Sequence, residues 1–115
     1  WGSGKPLREF LWSEDMADAS VYIMESVNFT ELANDKSEIR NCHINIGTGK
    51  EITIKALAEL IQQTIGYTGV INWDITKPDG TMRKLTSVNK LHSLGWEHTI
   101  EIEQGVKQLY SWYLQ

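Results

Sequence analysis

Disulfide staples, long hydrophobic runs and an excess of positive charge are all missing from this sequence, and each absence removes a class of protein. A single cysteine, Cys42, excludes an internal disulfide and fits a reducing compartment, so a cytoplasmic setting is expected. No apolar stretch approaches the length of a membrane span, and no membrane partner is expected. Lysine and arginine number 11 against 15 aspartates and glutamates, a formal net charge of −4. A nucleic-acid binder presents a basic face to the phosphate backbone, so that class is not expected either. Prolines number only two, Pro6 and Pro78, and both sit in glycine-containing turns beside cations.

The motifs of cofactor and metal chemistry are scarce as well. No G-x-G-x-x-G follows a strand, and Gly4-Lys5 runs into Pro6 rather than Ser or Thr, which excludes a P-loop. His43, His92 and His98 have no metal-like spacing with one another or with Cys42. Cys42 and His43 are neighbours in an extended segment and point to opposite faces, so they form no nucleophile–base pair. No catalytic, cofactor-binding or metal-binding residue is therefore assigned within this chain. Gly47-Thr48-Gly49-Lys50 lies between a strand and a helix and has two readings, an anion cradle or a plain tight connection.

What is present suits one domain over residues 1–115, with room for a single core but not for a complete two-substrate enzyme. The start at Trp1 suggests a piece of something longer. The order of elements predicts an α/β fold with a small, mostly parallel sheet and helices packed against it. Strands are expected at Leu7–Trp12, His43–Gly47 and Val70–Ile75. Ser13 is placed as the N-cap of a first helix carrying Met16, Ala19, Ile23 and Met24. Thr53 caps a second helix, and Leu57, Ile61 and Ile65 are expected to face the sheet around Phe10, Ile44 and Ile71. Gly66 ends that helix, with Tyr67 behind it. Ser87–Leu94 forms a short helix stopped at Gly95, and Thr99 opens the last helix, with Ile102, Val106, Leu109 and Tyr113 on one face.

Two cationic loops stand out, Gly2 to Arg8 and Lys77 to Lys84. Proline presets one turn dihedral and glycine allows close backbone approach, while Arg and Lys supply a fork and a point charge. That combination suits a diphosphate, and it also suits two solvated surface turns.

The motifs carry a resemblance. Trp1-Gly2-Ser3-Gly4, then Arg8-Glu9-Phe10-Leu11 and Asp15-Met16-Ala17, together with His43 to Gly49 and Lys77-Pro78-Asp79-Gly80-Thr81-Met82-Arg83-Lys84, resemble the GDP-L-fucose synthase family in the same order. These are extended short-chain dehydrogenases, NADPH-dependent 3,5-epimerase/4-reductases acting on GDP-4-keto-6-deoxymannose. The resemblance covers essentially the whole chain and implies the C-terminal, substrate-binding domain of such an enzyme, without its Rossmann domain. By position it implies substrate-binding roles for Trp1, Arg8 and Asp79 and a diphosphate contact for Lys84. It implies a GDP-sugar as partner and, for the full-length enzyme, a homodimer. NADP(H) would be held by the N-terminal domain, so this fragment alone is expected to bind no cofactor and to be inactive. Met82 departs from the usual Pro, and Trp12-Ser13-Glu14 departs from H-V-D. Another nucleotide-sugar epimerase or dehydratase, or a freestanding nucleotide-sugar binding or interaction module, are the other readings.

Overall fold

The structure, a computed structural model, describes residues 1–33 and 40–115. The helix α3 (Ile54–Ile65) forms where every local signal agrees. Thr53 is extended, and its Oγ1 accepts from the Ala56 N–H at 3.0 Å, satisfying one of the orphan donors of the first turn. At the other end Gly66 adopts φ 70°, and the N–H groups of Gly66 and Tyr67 donate to the carbonyls of Gln63 and Gln62.

The remaining helices are α1 (Ser13–Ser26), α2 (Phe29–Ala33), α4 (Asn89–Ser93) and α5 (Ile102–Tyr113). Two expected starts are corrected. Ser13 is already helical, with Trp12 before it making no side-chain cap; the Trp12 indole donates instead to Glu14 at 3.2 Å. Thr99 does not open α5, because its N–H and hydroxyl are held by Asp15 and the helix begins three residues later. Gly105, which weakens α5 on propensity alone, is buried under the Trp12 ring: a Cβ there would lie 3.3 Å from it.

The expected mostly parallel sheet is also corrected. Among the described residues the sheet is a two-stranded antiparallel ladder, β1 (Leu7–Arg8) against β2 (Ile52–Thr53), with Leu7 opposite Thr53. The segments around Ile44 and Ile71 carry polar groups met by side chains and turns rather than by strand partners. Lys90 Nζ donates to the Asn41 and His43 carbonyls, and Asn45 Nδ2 donates to the Ser87 carbonyl. Gly2 N–H takes the Asp74 carbonyl, and Gln62 Nε2 takes that of Gly69. A ladder forms only where backbone groups are left for it.

The fully enclosed core is small. Ala19 of α1 meets Leu91 of α4 and Trp96, with Leu11, Tyr22, Ile23, Ile44 and Ile46 around them. Met16 and Met24, expected on the inner stripe, are exposed. The α3 stripe packs on α5 rather than on a sheet. Leu57 and Ile61 line an apolar cavity of about 280 Å³ with Phe10, Trp12, Val106 and Leu109, while Ile61 and Ile65 remain 40% and 42% exposed. The radius of gyration, 18.1 Å, exceeds the roughly 13 Å of a compact chain of this length, and the thinnest dimension is 17 Å. So flat a body leaves few side chains beyond reach of solvent.

Candidate functional site

The two cationic loops lie against each other. Gly2 and Gly4 both take positive φ, 78° and 73°, which bends the N-terminal loop onto residues 73–80. Neither can carry a side chain without collision: a Cβ on Gly2 would stand 2.5 Å from Asp79 Oδ1, and one on Gly4 2.7 Å from the Trp73 ring. The Ser3 N–H and hydroxyl donate to the two Asp79 oxygens at 2.7 and 2.6 Å. These hydrogen bonds from Ser3, aided by the Lys5 charge, hold the Asp79 carboxyl below the usual carboxylate range. The Trp1 indole donates to the Pro78 carbonyl at 3.2 Å, and the residue is 79% exposed, so its ring is available for stacking by a planar ligand. Ile54 and Lys55 donate to the carbonyls of Pro6 and Gly4, seating the loop on the start of α3.

Arg8 lies at the end of β1, half-buried. Its Nη1 donates to the Leu7 and Thr81 carbonyls at 2.6 and 2.7 Å. Both hydrogen bonds leave from one nitrogen, and among the described residues Nε and Nη2, which form the fork suited to a bidentate oxyanion, have no hydrogen-bond partner. Trp1, Arg8 and Asp79 line one cavity of about 160 Å³ with Pro6, Pro78 and Gly80. Lys84 does not line it. It lies along a wider depression of about 580 Å³ with Gly49, Arg83, Thr86 and Val88. Its neighbour Arg83 is ion-paired to Glu51 at 2.8 Å.

Two carboxylates that sequence reasoning passed over organise this surface. Glu9 Oε1 accepts from the Thr48 and Gly49 N–H groups at 2.8 and 2.7 Å, and Oε2 accepts from the Thr86 N–H at 3.1 Å. Burial pushes its carboxyl up, but hydrogen bonding from Thr86, Gly49 and Thr48 overcomes that and leaves it lowered. The Gly47–Gly49 turn thus is an anion cradle, and the anion is internal. A Cβ on Gly47 would stand 2.5 Å from Glu9 Oε1. Asp15, 5% exposed, accepts from Thr99 and Ile100 and anchors the entry to α5. Burial raises its carboxyl as well, and hydrogen bonds from Thr99 and Ile100 with the nearby His98 charge outweigh it. The glycine-bracketed turn at residues 47–49 allowed an anion as one of its two readings; nothing local signalled that Glu9 would supply it.

No protein-family model matches the chain. The GDP-L-fucose synthase of Escherichia coli K12 is 47% identical over all 115 residues, which span 35% of that protein. GDP-L-fucose synthase 1 of Arabidopsis thaliana is 45% identical over the same residues, 32% of its length. A GDP-6-OMe-4-keto-L-xylo-heptose reductase from C. jejuni superposes with a TM-score of 0.93 at 42% identity, over 99% of this chain and 32% of that one. The GDP-mannoheptose C4 reductase of Campylobacter jejuni, solved with NADP bound, gives 0.88 at 39% identity, over 100% and 34%. The chain spans about a third of the length of these relatives. Over its full length it matches the C-terminal part of the GDP-L-fucose synthases, and its structural neighbours are reductases of the extended short-chain dehydrogenase family.

Proposed function

We propose that residues 1–115 form the nucleotide-sugar-binding domain of an NADP(H)-dependent epimerase/reductase that converts GDP-4-keto-6-deoxymannose to GDP-L-fucose. The observation that carries this is the locking of loops 1–8 and 77–81 around one cavity, with Trp1, Arg8 and Asp79 on its wall. In this reading the free edge of Arg8 grips the diphosphate and the exposed Trp1 ring stacks on a flat part of the ligand. Lys84 supplies a second positive charge, on a flexible side chain, from a separate depression. Asp79 keeps the loop closed through Ser3 and turns its remaining lone pairs toward ligand hydroxyls. The chain binds and orients; the groups that epimerise C3 and C5 and reduce C4 belong to the rest of the enzyme. We place the cofactor there too. The Gly47–Gly49 turn, whose N–H groups could take a phosphate, is filled by Glu9.

Titration of GDP-L-fucose into the full-length enzyme and its Arg8→Ala variant tests the assignment. A rise in Kd of about tenfold or more is expected, since a charge-assisted fork is worth roughly 1.5–3 kcal/mol. Equal binding by both proteins would remove Arg8 from the site. A second reading follows from the superposition on the two Campylobacter GDP-heptose reductases: the ketone reduced could be that of a GDP-4-keto-heptose. Consumption of one keto-sugar and not the other separates the two.

A further inference from the structure

Three consecutive residues, Leu7, Arg8 and Glu9, grip the second cationic loop on both sides of Lys84. The Leu7 N–H donates to the Met82 carbonyl at 2.8 Å, and Arg8 Nη1 donates to the Thr81 carbonyl at 2.7 Å. On the far side Glu9 Oε2 accepts from the Thr86 N–H at 3.1 Å. Between these anchors lie residues 83–85, all exposed. Arg83 is tied to Glu51, and Lys84 is exposed beside it. The other oxygen of Glu9 is fixed by Thr48 and Gly49, in a turn where Gly47 leaves no room for a side chain. Glu9 therefore cannot swing without breaking hydrogen bonds on both sides.

We propose that Glu9 is a positioning residue for GDP-sugar binding: its carboxylate sets the place of Lys84 relative to Arg8, so that both cations reach one diphosphate. The inference rests on the ligand assignment made above. Arg8 is adjacent to Glu9 in sequence and Thr86 is two residues from Lys84, so one carboxylate links both arms of the grip. An Arg fork and a flexible ammonium line separate cavities here. They act together only if the backbone carrying Lys84 is held, because a lysine on a loose loop loses its advantage to chain entropy. The N–H groups of Thr48, Gly49 and Thr86 all donate to Glu9, and these hydrogen bonds lower its carboxyl and favour the ionised, acceptor-only form.

The test is a double-mutant cycle in the full-length enzyme, with Glu9→Gln and Lys84→Ala made singly and together. Gln keeps the shape but turns an NH₂ group toward an existing N–H donor. Glu9→Gln is expected to raise KM for the GDP-keto-sugar about tenfold with kcat within about twofold. In the Lys84→Ala background the same change should add less than about twofold, because the residue it positions is gone. A merely structural Glu9 would give additive effects, or would lower kcat with KM, and either result overturns the inference. If Lys84→Ala alone leaves KM unchanged, the diphosphate role of Lys84 fails and this inference falls with it, whereas a raised KM in Arg8→Ala would still support the ligand assignment. Should Glu9→Gln not fold, Glu9→Asp keeps the charge but withdraws it by one methylene. The same non-additivity with Lys84→Ala is expected, and additive effects again overturn the inference.

Discussion

Asp15, in the first turn of α1, and Thr99, which lies 84 positions further along the chain, are joined through both the hydroxyl and the N–H of Thr99, at 2.7 and 3.2 Å. The next residue, Ile100, adds its own N–H at 3.0 Å. Asp15 thus sets where α5 begins, from the opposite end of the sequence. Asp15→Ala leaves these donors unmatched near the Ala19–Leu91–Trp96 core. A loss of about 2–3 kcal/mol in urea unfolding is expected. A loss below about 0.5 kcal/mol would show that water replaces the carboxylate without cost.

The same carboxylate makes stability depend on pH with a defined sign. Asp15 and Glu9 are both lowered on folding, from unfolded values near about 4. A group lowered in this way contributes stability that is complete above its unfolded pKa and disappears as pH falls through its folded one. The urea midpoint should therefore be level from about pH 7 to 5 and fall below about pH 4. Asp15→Asn removes one titrating group and should make that acid limb shallower. An unchanged limb would mean that other carboxylates dominate acid unfolding.

Two leucines at different depths should respond unequally to truncation. Leu91 is fully buried at the meeting of α1, α4 and Trp96, so Leu91→Ala should cost about 3–5 kcal/mol. Leu57 is only partly covered, on the wall of a cavity between α3 and α5, so Leu57→Ala should cost about 1–2 kcal/mol. Denaturant melts of the two variants would settle the order, and a reversed order would place the core elsewhere.

The parts of this fold that were legible in the sequence are those whose determinants are local. Thr53, the α3 stripe and Gly66 lie within one helix length, so capping chemistry and periodicity placed α3 within a residue. The sheet was not. Short extended segments look alike whether they pair with a strand or with side chains such as Lys90 and Asn45, and that choice is made by residues more than 40 positions away. Glu9 and Asp15 were missed on the same ground. A carboxylate whose donors are backbone N–H groups leaves no residue-type signature at the far end, because every residue but proline carries that donor.

Closure of the first loop depends on Gly4, which itself lines the candidate cavity. Gly4 lies at φ 73° beneath the Trp73 ring, with Lys55 Cβ 3.0 Å from where its own Cβ would be. Gly4→Ala imposes both a left-handed strain and an overlap with a rigid ring. Destabilisation of roughly 2 kcal/mol or more is expected. Weaker GDP-L-fucose binding should accompany it, because Ser3 can no longer meet Asp79. Calorimetric melting together with a binding titration checks both. Normal binding in a destabilised variant would separate loop closure from ligand binding.

Arg8 should not tolerate exchange for lysine, even though the charge is kept. Its Nη1 is committed to the Leu7 and Thr81 carbonyls, and only a guanidinium has further donors in the same plane to offer a ligand. A lysine ammonium reaching those two carbonyls has one hydrogen left and no fork. If it turns to the ligand instead, Thr81 is released and the loop bearing Lys84 loosens. Arg8→Lys is therefore expected to raise KM for the GDP-keto-sugar about tenfold, close to the effect of Arg8→Ala. Trp1→Ala, which removes a stacking face but no charge, should raise it only about twofold to threefold. Steady-state kinetics of the full-length enzyme at two salt concentrations supplies the check. If Arg8→Lys retains wild-type KM at low salt and loses it at high salt, the site needs only a positive charge, and the bidentate geometry assigned to Arg8 is wrong.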